Sequence, residues 1–308
     1  MSLSPFVKSI TLISLSHLFH TCVKEEDRIT SYMESVLQIG ANSHGADIAF
    51  SHDPVPTLIR QGWRATLVEP QPVAAGKLRA AYAATNGRVR VLEAAFCSEP
   101  GVSSVPLYFI NGSRTLGSNE SDIRCIGGDG AISGTASFSR QHVMAHQRFY
   151  KFTPSQCRSC AARLGRPLPP TCMRRVYADN LQMLDVRCVR TEDVAPDARS
   201  PDAVVIDAEG QDGKIVLRLL DDFRTHGARM PFVIVYEHAH LRAGHKQQLA
   251  ASLQALGFSP YRSGKAARGS ALPNGMAWTA MRHALNRVNA VENSLWVRNQ
   301  SHRLQIMN

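Results

Sequence analysis

Short apolar runs recur along the chain and alternate with longer stretches of helical spacing, the pattern of strands separated by helices. Residues 36–40 (VLQIG) read as a buried strand ending on glycine, residues 55–61 as a short helix closed by Gly62, and residues 63–69 (WRATLVE) as a second strand. Residues 71–82, rich in Ala and Leu, have helical spacing, and residues 88–95 (RVRVLEAA) read as a third strand. The pattern resumes with a strand at 203–207 (AVVID), a helix at 211–223, a strand at 231–237 (PFVIVYE) and a helix at 246–256. Residues 258–262 and 276–282 complete it as an antiparallel pair. Strands apolar on both faces, separated by amphipathic helices, predict an α/β fold with a doubly wound, mostly parallel sheet covered on both sides.

More than a hundred residues separate the third strand from the AVVID run, far more than an ordinary crossover needs. Residues 106–110 and 186–191 inside this stretch read as extra strands. The expected organisation is an N-terminal extension 1–30, a main domain 31–283 with an insertion 98–200, and a C-terminal tail 284–308. Ligands of such sheets bind beyond the carboxyl ends of the strands, so an insertion leaving that edge is well placed as a lid or substrate platform.

With 308 residues and 44% hydrophobic side chains, the chain has the composition of a globular protein. It contains no run of 18 apolar residues, so no integral membrane span is expected. Residues 6–23 are the most apolar part, but Lys8, His17 and His20 interrupt them and no small-residue cleavage site follows. They read as a leading helix or frayed end, with a targeting segment as the lesser alternative. Thirty-five basic against 25 acidic residues give a net charge of +10. Residues 140–175 hold eight basic side chains and no acid. No aromatic interleaving accompanies these charges, so nucleic acid is not the expected partner.

Four of the seven cysteines, Cys157, Cys160, Cys172 and Cys188, fall within 32 residues and begin with a C-x-x-C pair. Two disulfides, one tetrahedral zinc site or unpaired buried thiols all suit that spacing. Disulfides would favour a secretory lumen, and reduced thiols the cytoplasm.

The strand ends carry the chemistry. The first opens into Gly40-Ala41-Asn42-Ser43-His44-Gly45, a glycine turn that is not the G-x-G-x-x-G dinucleotide signature. The second ends on Glu69, where a doubly wound fold places the acid that accepts from two ribose hydroxyls. The AVVID run continues into Asp207-Ala208-Glu209-Gly210-Gln211-Asp212, in which helix capping by Asp207 or Asp212 is the structural alternative to function. The next strand ends in Tyr236-Glu237-His238-Ala239-His240. Carboxylates and imidazoles at two adjacent strand mouths can position and deprotonate a hydroxyl, or, as Asp207, Glu209, His238 and His240, hold a divalent metal.

The ordered segments VLQIGAN, Asp53-Pro54, WRATLVEPQP, VVIDAEGQD and VIVYEHAHL resemble the FkbM-type methyltransferase family, whose members look like class I S-adenosylmethionine-dependent O-methyltransferases. The resemblance spans residues 35–282 and is interrupted by the insertion. It implies a Rossmann-like fold, S-adenosyl-L-methionine as cofactor, and methylation of a hydroxyl on a sugar, glycan or related metabolite, with no metal required. Gly40 and Asn42 would lie beneath the methionine part of the cofactor, Glu69 at the ribose, and Glu93 and Ala94 near the adenine. Asp207 would orient cofactor or substrate, and Glu209, Glu237 and His238 are the candidate proton acceptors. Ser137, in the segment GTASF, and His240 would face the substrate. Ser43 and His44 stand where the family commonly has an acid followed by glycine, so Asp47 or Asp53 would have to replace that carboxylate. A catalytically impaired interaction module is the alternative this departure leaves open.

Overall fold

Four apolar runs become the centre of one sheet because each is covered on both faces. In the computed structural model, β1 (Ser35–Ile39), β2 (Arg64–Val68), β8 (Ala203–Ile206) and β9 (Val233–Glu237) are buried along most of their length. The structure describes residues 35–42, 53–110, 136–146, 155, 157–158, 161–162, 181–195, 201–239, 241–261 and 293–298. These all belong to one compact unit, Ser35–Asn308. The leading segment 6–23 lies outside the described residues.

With β3 (Val89–Leu92), β10 (Phe258–Pro260) and β11 (Asn293–Arg298), the order across the sheet is β3-β2-β1-β8-β9-β11-β10. The pairs from β3 to β9 are parallel, and β11 runs antiparallel to both of its neighbours. The chain steps outward from β1 to β3, then returns to lay β8 against the other side of β1. This reversal is the topological switch point at which α/β sheets bind ligands.

Helices α1 (Val55–Arg60), α2 (Pro72–Ala81), α5 (Asp212–Thr225) and α6 (Ala243–Ala255) join these strands. The last two are numbered after α3 (Arg140–His146) and α4 (Thr191–Val194) of the inserted region. Helix α5 buries Ile215, Val216, Leu219, Leu220 and Phe223, the apolar stripe of a helix lying on a sheet. Helix α2 starts with Pro72, whose missing N–H would lack a helical partner in any case.

Three expectations need correction. The third strand stops at Leu92, short of the expected residue 95. Residues Ala95–Phe96 form a separate strand, β4. The partner of β10 is β11, inside what was expected to be a tail at 284–308, while residues 276–282 lie outside the described residues. Leu295, Trp296 and Val297 are all buried, as a strand between two others requires.

The inserted region builds a second sheet, β4-β7-β5-β6, from β4, β5 (Ser104–Ile110), β6 (Ala136–Ser137) and β7 (Leu181–Val189). Strand β4 pairs in parallel with the end of β7, Ala95 opposite Cys188. That register brings Cys97 and Cys188 to a Cα separation of 5.4 Å, and they form a disulfide across 91 residues. Cys188 thus pairs outside the four-cysteine cluster for which two disulfides, a zinc site or unpaired thiols were the alternatives. Cys157 is also disulfide-bonded, and Cys160 and Cys172 lie outside the described residues.

Closing a 91-residue loop restricts the unfolded chain by roughly 4–5 kcal/mol in the chain-entropy account. Replacing Cys97 and Cys188 together with Ser is therefore expected to lower unfolding stability by about that much. Urea titration of the variant against the parent, both without reductant, measures it. Equal midpoints would show that the crosslink contributes nothing.

Candidate functional site

Strand register sets the site. Ile39 lies opposite both Val68 and Ile206, Val68 opposite Leu92, and Ile206 opposite Tyr236. The next residues along, Gly40, Glu69, Glu93, Asp207 and Glu237, therefore form one row across the carboxyl edge of the sheet. Gly40 has φ +79°, and a Cβ there would lie 1.8 Å from the Asp207 carbonyl oxygen. Glycine is required by the neighbouring strand itself.

Asn42, also left-handed at φ 45°, donates its N–H to Glu69 Oε2 at 2.7 Å. The Gln71 N–H donates to Oε1 at 2.8 Å. Each oxygen of Glu69 thus carries one backbone hydrogen bond and keeps a second lone pair. Burial pushes the Glu69 carboxyl up to about 7 despite these two bonds.

On the facing strand, the turn after Asp207 holds Glu209 at φ 48° and Gly210 at φ 92°. Buried Asp212 braces this turn by accepting from the Ala208 N–H at 3.2 Å and the Gly210 N–H at 3.1 Å. Burial, with Glu237 adding to it, raises Asp212 to about 7. Cleft water reaches Asp207, yet the protein packed around it holds its carboxyl well above the usual range, and the charges of Glu237, Glu209, Asp212 and Asp53 add to that rise.

The inserted region closes the third side. The buried Ser137 hydroxyl donates to the Glu209 carbonyl at 3.3 Å and accepts from the Ser139 N–H at 3.2 Å. His142 Nε2 lies 2.9 Å from Glu209 Oε2. The resulting cleft is walled by Gly40, Asn42, Glu69, Ala94, Ser137, Asp207 and Glu209 among others. It holds about 580 Å³ of empty space counting its open mouth, and the centre of a water molecule can range over about 60 Å³ of it. The enclosed part of the cleft is therefore narrow.

Other expected residues lie elsewhere. Glu93 pairs with Arg79 at 2.7 Å, both side chains substantially exposed, and is not in the cleft wall. Glu237 acts on Asp207 by charge but does not line the cleft. His238 Nδ1 lies 3.1 Å from Ser294 Oγ on β11, again outside the cleft wall. Asp53, one of the two acids expected to replace the missing carboxylate, accepts from the Gln38 amide at 2.8 Å and the Val55 N–H at 2.9 Å and is not in the cleft wall. Ser43, His44, Asp47 and His240 lie outside the described residues. Among the described residues, no group of three or more His, Cys, Asp or Glu side chains is arranged to hold a metal.

His142 is the site residue that sequence reasoning missed. Its local signal is Ser139, whose hydroxyl accepts from the His142 N–H at 3.2 Å as an N-cap does. That pattern announces a helix start, and nothing in it points to Glu209.

The raised carboxyl of Glu69 has a consequence for stability. Between its ordinary value of 4.5 and its folded value of about 7, the folded chain keeps a proton that the unfolded chain has lost. This contribution is fully present below pH 4.5 and is lost as pH rises through about 7. Between pH 4.5 and 8, Glu69→Gln is expected to lose about 3 kcal/mol less stability than the parent. Urea titrations of both proteins at the two pH values check it, and parallel losses would contradict it.

Comparison with family models, characterised proteins and solved structures finds no match to this chain.

Proposed function

We propose that this chain is an S-adenosylmethionine-dependent O-methyltransferase whose cofactor lies in the cleft between the ends of β1, β2 and β8. The observation that carries the reading is the charge of the walls. Glu69, Asp207 and Glu209 line the cleft, and no lysine, arginine or histidine does among the described residues. Once ionised, such walls repel the pyrophosphate of a dinucleotide and favour a cation. The reversed strand β11 between β9 and β10 also departs from the dinucleotide-binding strand order 3-2-1-4-5-6.

The donor set fits the group. The remaining lone pairs of Glu69 would accept from two ribose hydroxyls, and the small side chain of Ala94 belongs to the same wall. When bound, this cofactor supplies an activated methyl group on a sulfonium, and its transfer breaks the methyl–sulfur bond and releases a neutral thioether. Asp207 contributes negative charge to the cationic ligand. Glu209 is the proposed acceptor of the substrate hydroxyl proton at a carboxylate oxygen, because it alone of the three candidate acceptors lines the cleft. His142 holds that carboxylate in position. The Cys97–Cys188 disulfide supports work in an oxidising compartment. No helix among the described residues is long and apolar enough to cross a membrane.

Calorimetric titration tests the reading. S-adenosylmethionine should bind, more tightly at pH 8 than at pH 6 as Glu69 ionises. Glu69→Gln should weaken it about 10- to 100-fold, the worth of hydrogen bonds to a charged acceptor. Absence of heat with the sulfonium nucleoside, or preferential binding of a nicotinamide dinucleotide, would overturn the proposal.

A further inference from the structure

A second cavity adjoins the cleft on the side of the inserted sheet. The two have Phe96, Phe138 and Ile215 in common among their lining residues, so they are neighbours. The second cavity holds about 650 Å³ of empty space, and a water centre ranges over about 230 Å³ of it, against about 60 Å³ in the cleft. It is thus the roomier of the two.

Its lining is mixed, with the apolar part the larger. Two phenyl rings, Phe96 and Phe138, line it with Ile215, and Val102, Val105 and Pro106 continue the apolar surface. Polar side chains come from Ser98, Glu99 and Gln211. Gln211 stands two residues after Glu209, on the turn that closes the cleft. The cavity is also braced: Val105 and Pro106 sit on β5, paired with β7, and Cys97 in its wall is bonded to Cys188 on the same strand.

We infer that this cavity is the acceptor subsite and that it takes a planar aromatic alcohol, ring against the two phenylalanines and hydroxyl toward Gln211 and Glu209. The inference rests on the cleft being the cofactor site. A sugar presents hydroxyls around its whole rim, and each one buried without a partner costs free energy. Ser98, Glu99 and Gln211 are the polar side chains among the cavity's lining residues, too few to partner every hydroxyl of such a rim. An aromatic body loses nothing against the apolar lining and gains from ring contact.

The test uses the full chain saturated with S-adenosylhomocysteine, titrated with 2-naphthol and, separately, with methyl α-D-glucopyranoside. Naphthol should bind without displacing the nucleoside, and the glucoside should not bind. Val102→Trp, which fills the cavity, should weaken naphthol at least tenfold and leave S-adenosylhomocysteine affinity unchanged. Ser98→Trp serves the same purpose if the first variant does not fold. Unchanged naphthol affinity in a folded filled variant, displacement of the nucleoside by naphthol, or binding of the glucoside alone would overturn the inference. If the nucleoside fails to bind while naphthol affinity still depends on the filled position, the cofactor reading falls and the aromatic cavity stands.

Discussion

The approach of Gly40 to the Asp207 carbonyl is the constraint on which the site depends. A side chain at residue 40 would sit 1.8 Å from that oxygen, so the mouths of β1 and β8 can stay hydrogen-bonded only with glycine there. The Asp207 N–H donates to the Ile39 carbonyl at 2.9 Å, and the Gly40 N–H to the Val68 carbonyl at 2.9 Å. Three strand ends are thereby tied level. Their first polar residues meet because the backbone leaves them nowhere else to go, and the cleft results from that levelling.

Levelling has an electrostatic cost. At the opposite edge, buried Asp202 accepts from the Ser35 N–H and is paired with Arg229, whose guanidinium also stacks on Phe232. That carboxylate is matched by a cation. At the cleft edge, Glu69, Asp207 and Asp212 are instead held above the usual carboxylate range by burial, joined at Asp207 and Asp212 by neighbouring acids. Backbone N–H groups offset part of this for Glu69 and Asp212. A cationic ligand would replace protons as the partner of these groups, so its binding and their ionisation would be one linked event.

The frame of the site was legible in the sequence because apolar runs end where burial ends. Each of VLQI, ATLV and AVVI terminates on the residue that lines the cleft, so Gly40, Glu69 and Asp207 could be named from the runs alone. Glu93, which the family resemblance would put near the adenine, is paired with Arg79 at the surface, a contact that the sequence pattern does not show. Strand β11 went unread since only Leu295, Trp296 and Val297 are apolar in it and no turn signal isolates them. The partner of Cys188 was equally hidden. Cys97 lies 91 residues earlier, and only the parallel pairing of β4 with β7 brings the two together. Local spacing favoured the nearer cysteines because it carries no information about which strands pair.

The inserted region turns a strand-edge cleft into a chemically specific one. The parallel sheet supplies Gly40, Glu69 and Asp207 to the cleft wall. The carboxylate of Glu209 is set from the other side, by His142 at the start of α3, while Ser137 on β6 holds the Glu209 carbonyl. Strand β6 is only two residues long and is anchored through β5 to β7. Strand β7 is in turn bonded to Cys97, three residues beyond Ala94 in the cleft wall. The path from Ala94 through the disulfide and the second sheet to Ser137 and His142 returns to the cleft where it began. A closed circuit of strand pairing and one covalent bond can hold a left-handed glutamate at a strand mouth, a conformation that local sequence preference does not favour.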